Sequence, residues 1–387
     1  MADFSIKSTV NITCPLGLAD ILSKEVSDLG YKIDNKRETG IELTASLRDC
    51  IRLNYWLRTA HRVHYLIAER PITSPDKLTL WLKTLPWEEW ISPDGYFSVT
   101  SRVDHPAIEN DQYANLVVKD AIADRIRFKE DVRPDSGPDL NKSVIFLYWT
   151  EEIARIFIDT SGESLSRRNY RSRSASAPMQ ETLAAAIVET TRWKPGMHFL
   201  NPMTGSGTLV IEAVLKATNR APESLRNNFG FMHILGFDEE YYQQLRSEAR
   251  QNVIKRPEGR FIATDRDPVA VVQAKKNAQS AGVDHLIEFE TCSFEETVVP
   301  EGEGVVVFNP PYGIRIGSGE DLRPLYQSIG DFMKNSCAGK TGYLFTGNPA
   351  LAKKVGLRAS SRTTFYNSTI ECRLFEYELY KGSKKRR

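Results

Sequence analysis

The run Val305-Val306-Val307-Phe308-Asn309-Pro310-Pro311-Tyr312-Gly313 joins a β-branched apolar stretch to a rigid polar end. Such a run, bounded by Pro and Gly, predicts a buried strand that stops at a fixed tip of Asn309, Pro310, Pro311 and Tyr312. The chemistry open to this tip concerns a weak nucleophile. An exocyclic amine on a nucleobase has its lone pair delocalised into the ring. The amide oxygen of Asn309 and the carbonyl of Pro310 can accept its two N–H hydrogens and turn the lone pair toward an electrophile. Tyr312 can stack on the base. The competing reading is a strand followed by a tight proline turn, with Asn309 an ordinary turn residue.

A second stretch offers a ligand site. Residues 197–200 predict a short strand that runs into Asn201-Pro202-Met203-Thr204-Gly205-Ser206-Gly207-Thr208 and then a helix carrying Leu209, Val210, Ile211, Val214 and Leu215. Strand, Gly-rich turn and helix form the first unit of a doubly wound sheet. Gly205 and Gly207 allow close backbone approach to a ligand, and helix N–H groups point at it. Val210 stands where a dinucleotide fingerprint has its third glycine, and the lysine of a Walker loop is missing, so a nucleotide-like ligand without a diphosphate fits better. The next strand, 260–264, ends at Asp265, an acid suited to both ribose hydroxyls, although an insertion over roughly residues 219–258 lengthens the usual interval.

The elements that must position these residues follow from periodicity and turn chemistry. A helix starting at Pro178 buries Leu183, Ala184, Ile187, Val188 and Thr191. A helix over 268–281 is capped by Gly282, and a strand over 286–291 opens into Cys292-Ser293-Phe294. A helix over 322–335 and a strand over 342–346 follow. Strands 363–366 and 369–380 form a closing hairpin that turns at Asn367-Ser368, with Asn367 suited to a positive φ. An antiparallel hairpin ending a parallel sheet makes the sheet mixed.

The N-terminal half reads as α+β. A strand over 4–10, a helix over 16–29 capped at Gly30, strands at 31–33 and 40–45 and a helix over 47–66 give the order of a ferredoxin-type unit. Residues 67–158 hold a helix over 78–90 with Trp81, Trp87 and Trp90 as core, a strand over 96–102, an amphipathic helix over 113–128 and a hairpin of 144–149 with 152–158. Residues 159–177 form a polar connector in which Arg167, Arg168, Arg171 and Arg173 interleave with Tyr170. Such a segment suits phosphate contact and stacking on an unpaired base, or else is a solvated linker. The basic tail, 384–387, reads as solvated.

Composition bounds the class. The chain has 387 residues, 41% apolar and 26% charged, with net charge +1, which suggests two or three domains and confines any nucleic-acid surface to a local arginine cluster. No apolar run approaches a membrane span and the N-terminus lacks a secretory pattern, so a cytoplasmic protein is expected. The five cysteines, at 14, 50, 292, 337 and 372, include no Cys-x-x-Cys pair, which argues against a disulfide framework and against a structural metal. His61 and His64, one helical turn apart, are expected to serve helix packing rather than metal binding.

With the Gly-rich turn and the Asn-Pro-Pro-Tyr tip both at strand ends, the chain resembles a class I S-adenosylmethionine-dependent methyltransferase of the amino-group type. More narrowly it resembles the THUMP-domain RNA methyltransferases, in particular the bacterial 23S rRNA guanosine N2-methyltransferase family, whose members are often labelled N6-adenine-specific DNA methylases because of the tip. The resemblance covers nearly the whole chain. It is most specific in the stretches 162–171, 177–186 and 202–208 and at Asn309 to Gly313 with Arg315.

The resemblance implies an α/β protein. A ferredoxin-like domain (1–66), a THUMP domain that grips RNA (67–158) and the arginine-rich connector (159–177) precede a Rossmann-like class I methyltransferase domain with a doubly wound mixed sheet (178–387). It implies that Asn201, Pro202, Thr204, Gly205, Gly207 and Thr208 line the methionine end of the cofactor. Asp265 with Arg266 would hold the ribose, Ser293 and Phe294 would meet the adenine, and Asn309, Pro310, Pro311 and Tyr312 would hold the target base. RNA, as 23S rRNA, is the expected partner, with Arg167, Arg168, Tyr170, Arg171 and Arg173 as contacts.

Three positions depart from the family pattern. Asn201 replaces an Asp, which should weaken attraction for a cationic cofactor, so that Asn201→Asp would bind it more tightly. Ser293 replaces an acid before the aromatic, and Asn169 replaces a Gly that Asn can imitate in a left-handed conformation. The expected reaction is methyl transfer to the exocyclic N2 of a guanosine in structured RNA. The alternatives are a DNA adenine N6-methyltransferase, or a catalytically impaired RNA-binding factor of ribosome assembly, which the two cofactor-side departures would favour.

Overall fold

The computed structural model describes residues 1–106, 108, 110–171, 179–313 and 321–380. In chain order the first part comprises β1 (Lys7–Thr13), α1 (Ala19–Asp28), β2 (Asn35–Arg37), β3 (Gly40–Ser46), α2 (Leu47–Trp56), β4 (Arg62–Arg70), α3 (Pro75–Leu82), β5 (Tyr96–Asp104), α4 (Asp111–Glu130), β6 (Asp135–Ser136), β7 (Ser143–Thr150) and β8 (Ala154–Asp159). The second part comprises α5 (Glu181–Thr190), β9 (His198–Pro202), α6 (Thr208–Ala217), α7 (Glu239–Gln251), β10 (Phe261–Asp265), α8 (Pro268–Ser280), β11 (Ile287–Thr291), β12 (Gly304–Phe308), α9 (Arg323–Ser336), β13 (Thr341–Thr346), α10 (Pro349–Ala352), β14 (Ser361–Asn367) and β15 (Ile370–Glu378). Among the described residues no helix is long and apolar enough to cross a membrane.

These elements form two compact units. One contains Met1–Cys14, Leu22–Arg167 and Arg226–Glu248; the other contains Pro15–Ile21, Arg168–Leu225 and Ala249–Arg387. The insertion expected between the Gly-rich turn and Asp265 therefore has a structural home, since its middle folds into the first unit. There Phe231 and Phe237 pack their rings on Tyr242, and Tyr242 meets Tyr55 edge-on at 6.2 Å.

The first unit is built on one eight-stranded sheet, in the order β2-β3-β1-β4-β8-β7-β5-β6. The two N-terminal modules read from the sequence are thus one continuous sheet, joined where β4 pairs antiparallel with β8, Tyr65 opposite Ile158. The helix expected over 47–66 is corrected by this pairing. It starts as read, with a capping box between Ser46 and Asp49, but stops at Trp56, and residues 62–70 are strand β4. Val63 and Tyr65 share one buried strand face, a period-2 signal that the flanking Leu57 and Leu66 had masked as helical. His64 consequently shares no helix turn with His61. It is buried, stacks on Phe146 with ring centroids 4.5 Å apart and lies 3.6 Å from Asp159. The helix expected over 78–90 likewise stops at Leu82, ahead of Pro86, while Trp81 and Trp87 are core as anticipated.

The second unit carries a seven-stranded mixed sheet, β11-β10-β9-β12-β13-β15-β14, parallel as far as β13 and antiparallel in its last two strands. The chain begins this sheet at β9, adds β10 and β11 on one side, then crosses to add β12 on the other. The strand order therefore reverses between β9 and β12, and in an open α/β sheet ligands bind beyond the carboxyl ends of the strands at such a point. Both chemistry-bearing stretches lie there, one after β9 and one after β12. Leu200, Val306, Phe308, Tyr326, Phe332 and Leu344 form the core beneath. The closing hairpin turns as read, but Ser368, with φ +58°, and not Asn367, takes the left-handed position.

Candidate active site

β12 is fully buried from Gly304 to Phe308 because parallel neighbours cover both its edges, β9 through Val306 opposite Leu200 and β13 through Phe308 opposite Leu344. The strand ends where Pro310 and Pro311 can no longer donate to a ladder. Asn309 is half-buried, Pro310 buried, Pro311 exposed and Tyr312 half-buried. The tip is held from behind. The Tyr326 hydroxyl donates to the Pro311 carbonyl at 3.2 Å and shares a 2.8 Å bond with the Thr346 hydroxyl. Asn348 Nδ2 donates to the Tyr312 carbonyl at 3.4 Å, and Asn367 Nδ2 to the Tyr312 hydroxyl at 3.1 Å. Sequence reasoning missed all three supports, which come from separate later elements. Arg315 lies outside the described residues.

The two glycines of the turn serve different ends. Gly205, at φ +54°, has open space where a Cβ would stand. Gly207, at φ +80°, would place a Cβ 2.9 Å from the Ala274 Cβ and is required for α8 to pack against the turn. Nor are the turn's N–H groups all free for a ligand. Gly205 donates to Asp265 Oδ2 at 2.9 Å, and Gly207 to the Thr204 carbonyl at 2.9 Å. Asp265 also accepts from the Asp267 N–H through Oδ1 at 3.1 Å, so its carboxylate is oriented from two sides while it stays partly exposed beside Arg266, which is exposed. Buried Asn277, on α8, donates to the Ser206 carbonyl at 2.9 Å and ties the turn to that helix. Met203 holds φ +60°, a strained conformation for a side chain of its size, at the level of the strand ends. Thr204 and Thr208 are buried, and the Thr208 and Ser206 hydroxyls lie 3.1 Å apart.

Asn201 differs from its expected setting. It is 1% exposed; Nδ2 donates to the Val307 carbonyl at 2.9 Å and Oδ1 accepts from the Thr204 hydroxyl at 3.0 Å. The amide clamps the ends of β9 and β12 together. A carboxylate there would turn an oxygen toward the Val307 carbonyl. This removes the ground for expecting Asn201→Asp to attract a cation better, because the substitution breaks the clamp and buries a charge.

The other cofactor-side departure also has a local use. The Ser293 N–H donates to Glu296 Oε2 at 2.9 Å, and its hydroxyl donates to Glu295, so a carboxylate is still brought to this loop from two residues later. Phe294 is 8% exposed and meets Phe308 and Phe332 edge-on, at 5.6 and 5.8 Å, which makes it mainly core.

The arginine-rich connector needs the largest correction. Arg168 and Tyr170 are 0% and 1% exposed. Arg168 pairs with Glu212 and lies 3.7 Å from Glu223, and the Tyr170 hydroxyl donates to Glu212 at 2.8 Å. Arg171 grips Glu181 with bonds of 3.0 and 2.6 Å and donates to the Met179 carbonyl at 2.7 Å. Arg168 and Tyr170 are therefore internal, and the half-buried Arg171 is held by Glu181, so these side chains do not form a phosphate-contacting surface. Their partners Glu181 and Glu212, on α5 and α6, lie among apolar residues, and only tertiary packing reveals them. Arg167 is exposed, and Arg173 lies outside the described residues. Asn169 does adopt the left-handed conformation, with φ +60°.

The RMKL-like methyltransferase domain profile matches residues 168–376, more than half of the chain. The chain belongs to the RMKL-like methyltransferase family. The RlmL ferredoxin-like profile matches residues 9–64 and the THUMP profile residues 73–159. A ribosomal RNA large subunit methyltransferase K/L of Syntrophotalea carbinolica is 37% identical over 95% of this chain and 53% of its own length. The chain thus spans about half the length of the K/L relatives it matches. A Synechocystis sp. protein that carries a provisional RNA methyltransferase name is 31% identical over 95% of this chain and 96% of its own. Among solved structures, a methyltransferase candidate complexed with SAH superposes with TM-score 0.87 at 24% identity, over 97% of this chain and 99% of its own. The mixed doubly wound sheet is thus the class I methyltransferase fold, and the α+β part carries ferredoxin-like and THUMP domains.

For this RMKL-like chain, Asn201→Asp is expected to lower stability by about 1–3 kcal/mol, the cost of leaving a buried acceptor without its donor. Calorimetric titration with S-adenosylmethionine should show no gain in affinity over the native protein; a tighter Kd with unchanged thermal stability would reverse this reading.

Proposed function

We propose that this chain methylates the exocyclic N2 of a guanosine in structured RNA, with large-subunit 23S rRNA as the substrate and S-adenosylmethionine as the methyl donor. The observation that carries the reading is the Asn309 to Tyr312 tip at the end of β12, beside the Gly205 turn at the end of β9, on either side of the strand-order reversal. A nucleotide-like group fits the turn: Gly205 leaves room that a Cβ would fill, and Asp265 is held by two N–H groups with lone pairs left for a ribose diol. Pro202, Thr204, Gly205, Gly207 and Thr208 would line the donor's methionine end. Asn201 would act indirectly, by keeping the two strand ends in register.

When bound, the sulfonium donor supplies an electrophilic methyl group. The protein's own part is to orient the acceptor. Asn309 Oδ1 and the Pro310 carbonyl accept the two amine hydrogens, so the lone pair turns out of conjugation, and Tyr312 holds the base plane by stacking. Positioning of this kind accounts for much of the rate when the leaving group is already activated. The THUMP domain and the rRNA methyltransferase names of the relatives support RNA as the partner.

The tip would accept any exocyclic amine, so adenine N6 in DNA remains the rival. Nucleoside mass spectrometry on cells with and without the gene separates them. Loss of one N2-methylguanosine from large-subunit rRNA is the expected result. Intact rRNA with N6-methyladenine lost from DNA would reverse the assignment.

A further inference from the structure

The side chain of Tyr312 is anchored by the closing hairpin. Its hydroxyl accepts from Asn367 Nδ2 at 3.1 Å, at the end of β14. Cys372, on β15 opposite Phe365, lies within hydrogen-bonding reach of the same tyrosine: burial pushes the Cys372 thiol up, while a side-chain hydrogen bond with Tyr312 works against that rise. The backbone end of the tyrosine is fixed separately, by Asn348 on its carbonyl and by Tyr326 on the preceding carbonyl. The tyrosine hydroxyl lies on the axis of the Cβ–Cγ bond, so holding the backbone and the hydroxyl fixes the swing of the side chain about Cα–Cβ and with it the place of the ring.

Asn367 is not needed at its position for backbone reasons, because the left-handed residue of the turn is Ser368. Asn348 differs, since its Oδ1 also caps α10 by accepting from Leu351 at 3.1 Å, a structural duty sufficient in itself.

We infer that Asn367 is a positioning residue for methyl transfer: its amide sets the direction in which the Tyr312 ring projects, and so makes the antiparallel hairpin β14–β15 a working part of the base site. This rests on the reading of the tip as the holder of the target base. A ring free to swing about its Cβ would still stack, but over a range of angles, and the amine would meet the donor in fewer correct orientations. The effect therefore belongs in kcat more than in KM for RNA, and not in cofactor affinity.

The test uses the full chain with an unmodified in vitro transcript of the large-subunit rRNA. Asn367→Ala should lower kcat by about 2- to 12-fold, the range that one neutral hydrogen bond supports, with the S-adenosylmethionine Kd and thermal midpoint unchanged. Tyr312→Phe should show a similar loss, and the double variant no further one, because both remove the same bond. Asn367→Asp, which offers the tyrosine hydroxyl an acceptor, should recover part of the rate. Losses that multiply in the double variant would overturn the proposal, as would native kcat in Asn367→Ala.

A second readout needs no substrate. With ring-labelled tyrosine, the Tyr312 resonance, assigned by its disappearance in Tyr312→Phe, should shift in Asn367→Ala; an unchanged resonance counts against the role of Asn367. Failure of the base-holding reading has a different signature, namely full turnover in Asn309→Ala whatever Asn367 does.

Discussion

Asn309→Ala is expected to lower kcat for methyl transfer by at least about 10²- to 10³-fold, the loss seen when one preorganised hydrogen-bonding group is removed from a transition state. The Asn309 side chain is half-buried at the open end of β12, a strand whose own residues are fully buried, so its truncation leaves no cavity in the core. The thermal midpoint should therefore stay near the native value, and the S-adenosylmethionine Kd should change less than about twofold, because the cofactor-side residues belong to other strand ends. Asn309→Asp retains acceptor oxygens and should keep more activity than the alanine variant. Single-turnover rates with the rRNA transcript, alongside calorimetric cofactor titration, measure both. Native turnover in Asn309→Ala would remove the tip from the mechanism.

Arg168→Met is the second large effect, and it concerns stability. Burial disfavours the guanidinium charge, yet the carboxylates of Glu212 and then Glu223 outweigh it and hold the Arg168 pKa above its ordinary value. Removing the cation leaves Glu212 and Glu223 buried without the Arg168 charge, while Glu181 keeps Arg171. Breaking a buried pair in this way costs about 3–5 kcal/mol, which lowers the thermal midpoint of a unit of this size by roughly 6–20 °C.

The pH dependence has a definite sign. Burial already raises the Glu181 carboxyl, and loss of Arg168 removes an attraction that opposes that rise, so Glu181 takes up its proton more readily in the variant. The deficit of Arg168→Met relative to the native protein should then shrink as the pH falls from 7 toward the carboxylate range. Calorimetric melts at two pH values check this. If Arg168 contacted phosphate instead, the variant would melt normally and lose about one unit of salt slope in RNA binding.

The chemistry of this protein was legible in its sequence wherever local rules decide the conformation. A β-branched run stopped by two prolines can only be a strand with a rigid end, and paired glycines between a strand and a helix mark a turn at a ligand site. Asp265 at the next strand end and the mixed sheet closed by a hairpin follow from equally local signals, while the left-handed Asn169 was expected from its place in the family pattern, where it stands for a glycine.

What the sequence could not decide were the partners of polar side chains. Arg168, Tyr170 and Arg171 have the composition of a nucleic-acid contact, and only the packing of α5 and α6 shows that Glu181 and Glu212 have claimed them. Asn201 looked like a weakened cofactor ligand until β12 supplied the carbonyl that its amide holds. Residues 62–66 looked helical until β8 offered them a strand edge. Apart from Arg171 and Glu181, ten positions apart, each deciding contact joins residues dozens of positions apart, and such contacts belong to the tertiary fold. Periodicity and turn chemistry record which conformation a segment favours, whereas the enclosure of a charge or amide depends on what the remainder of the chain packs against it.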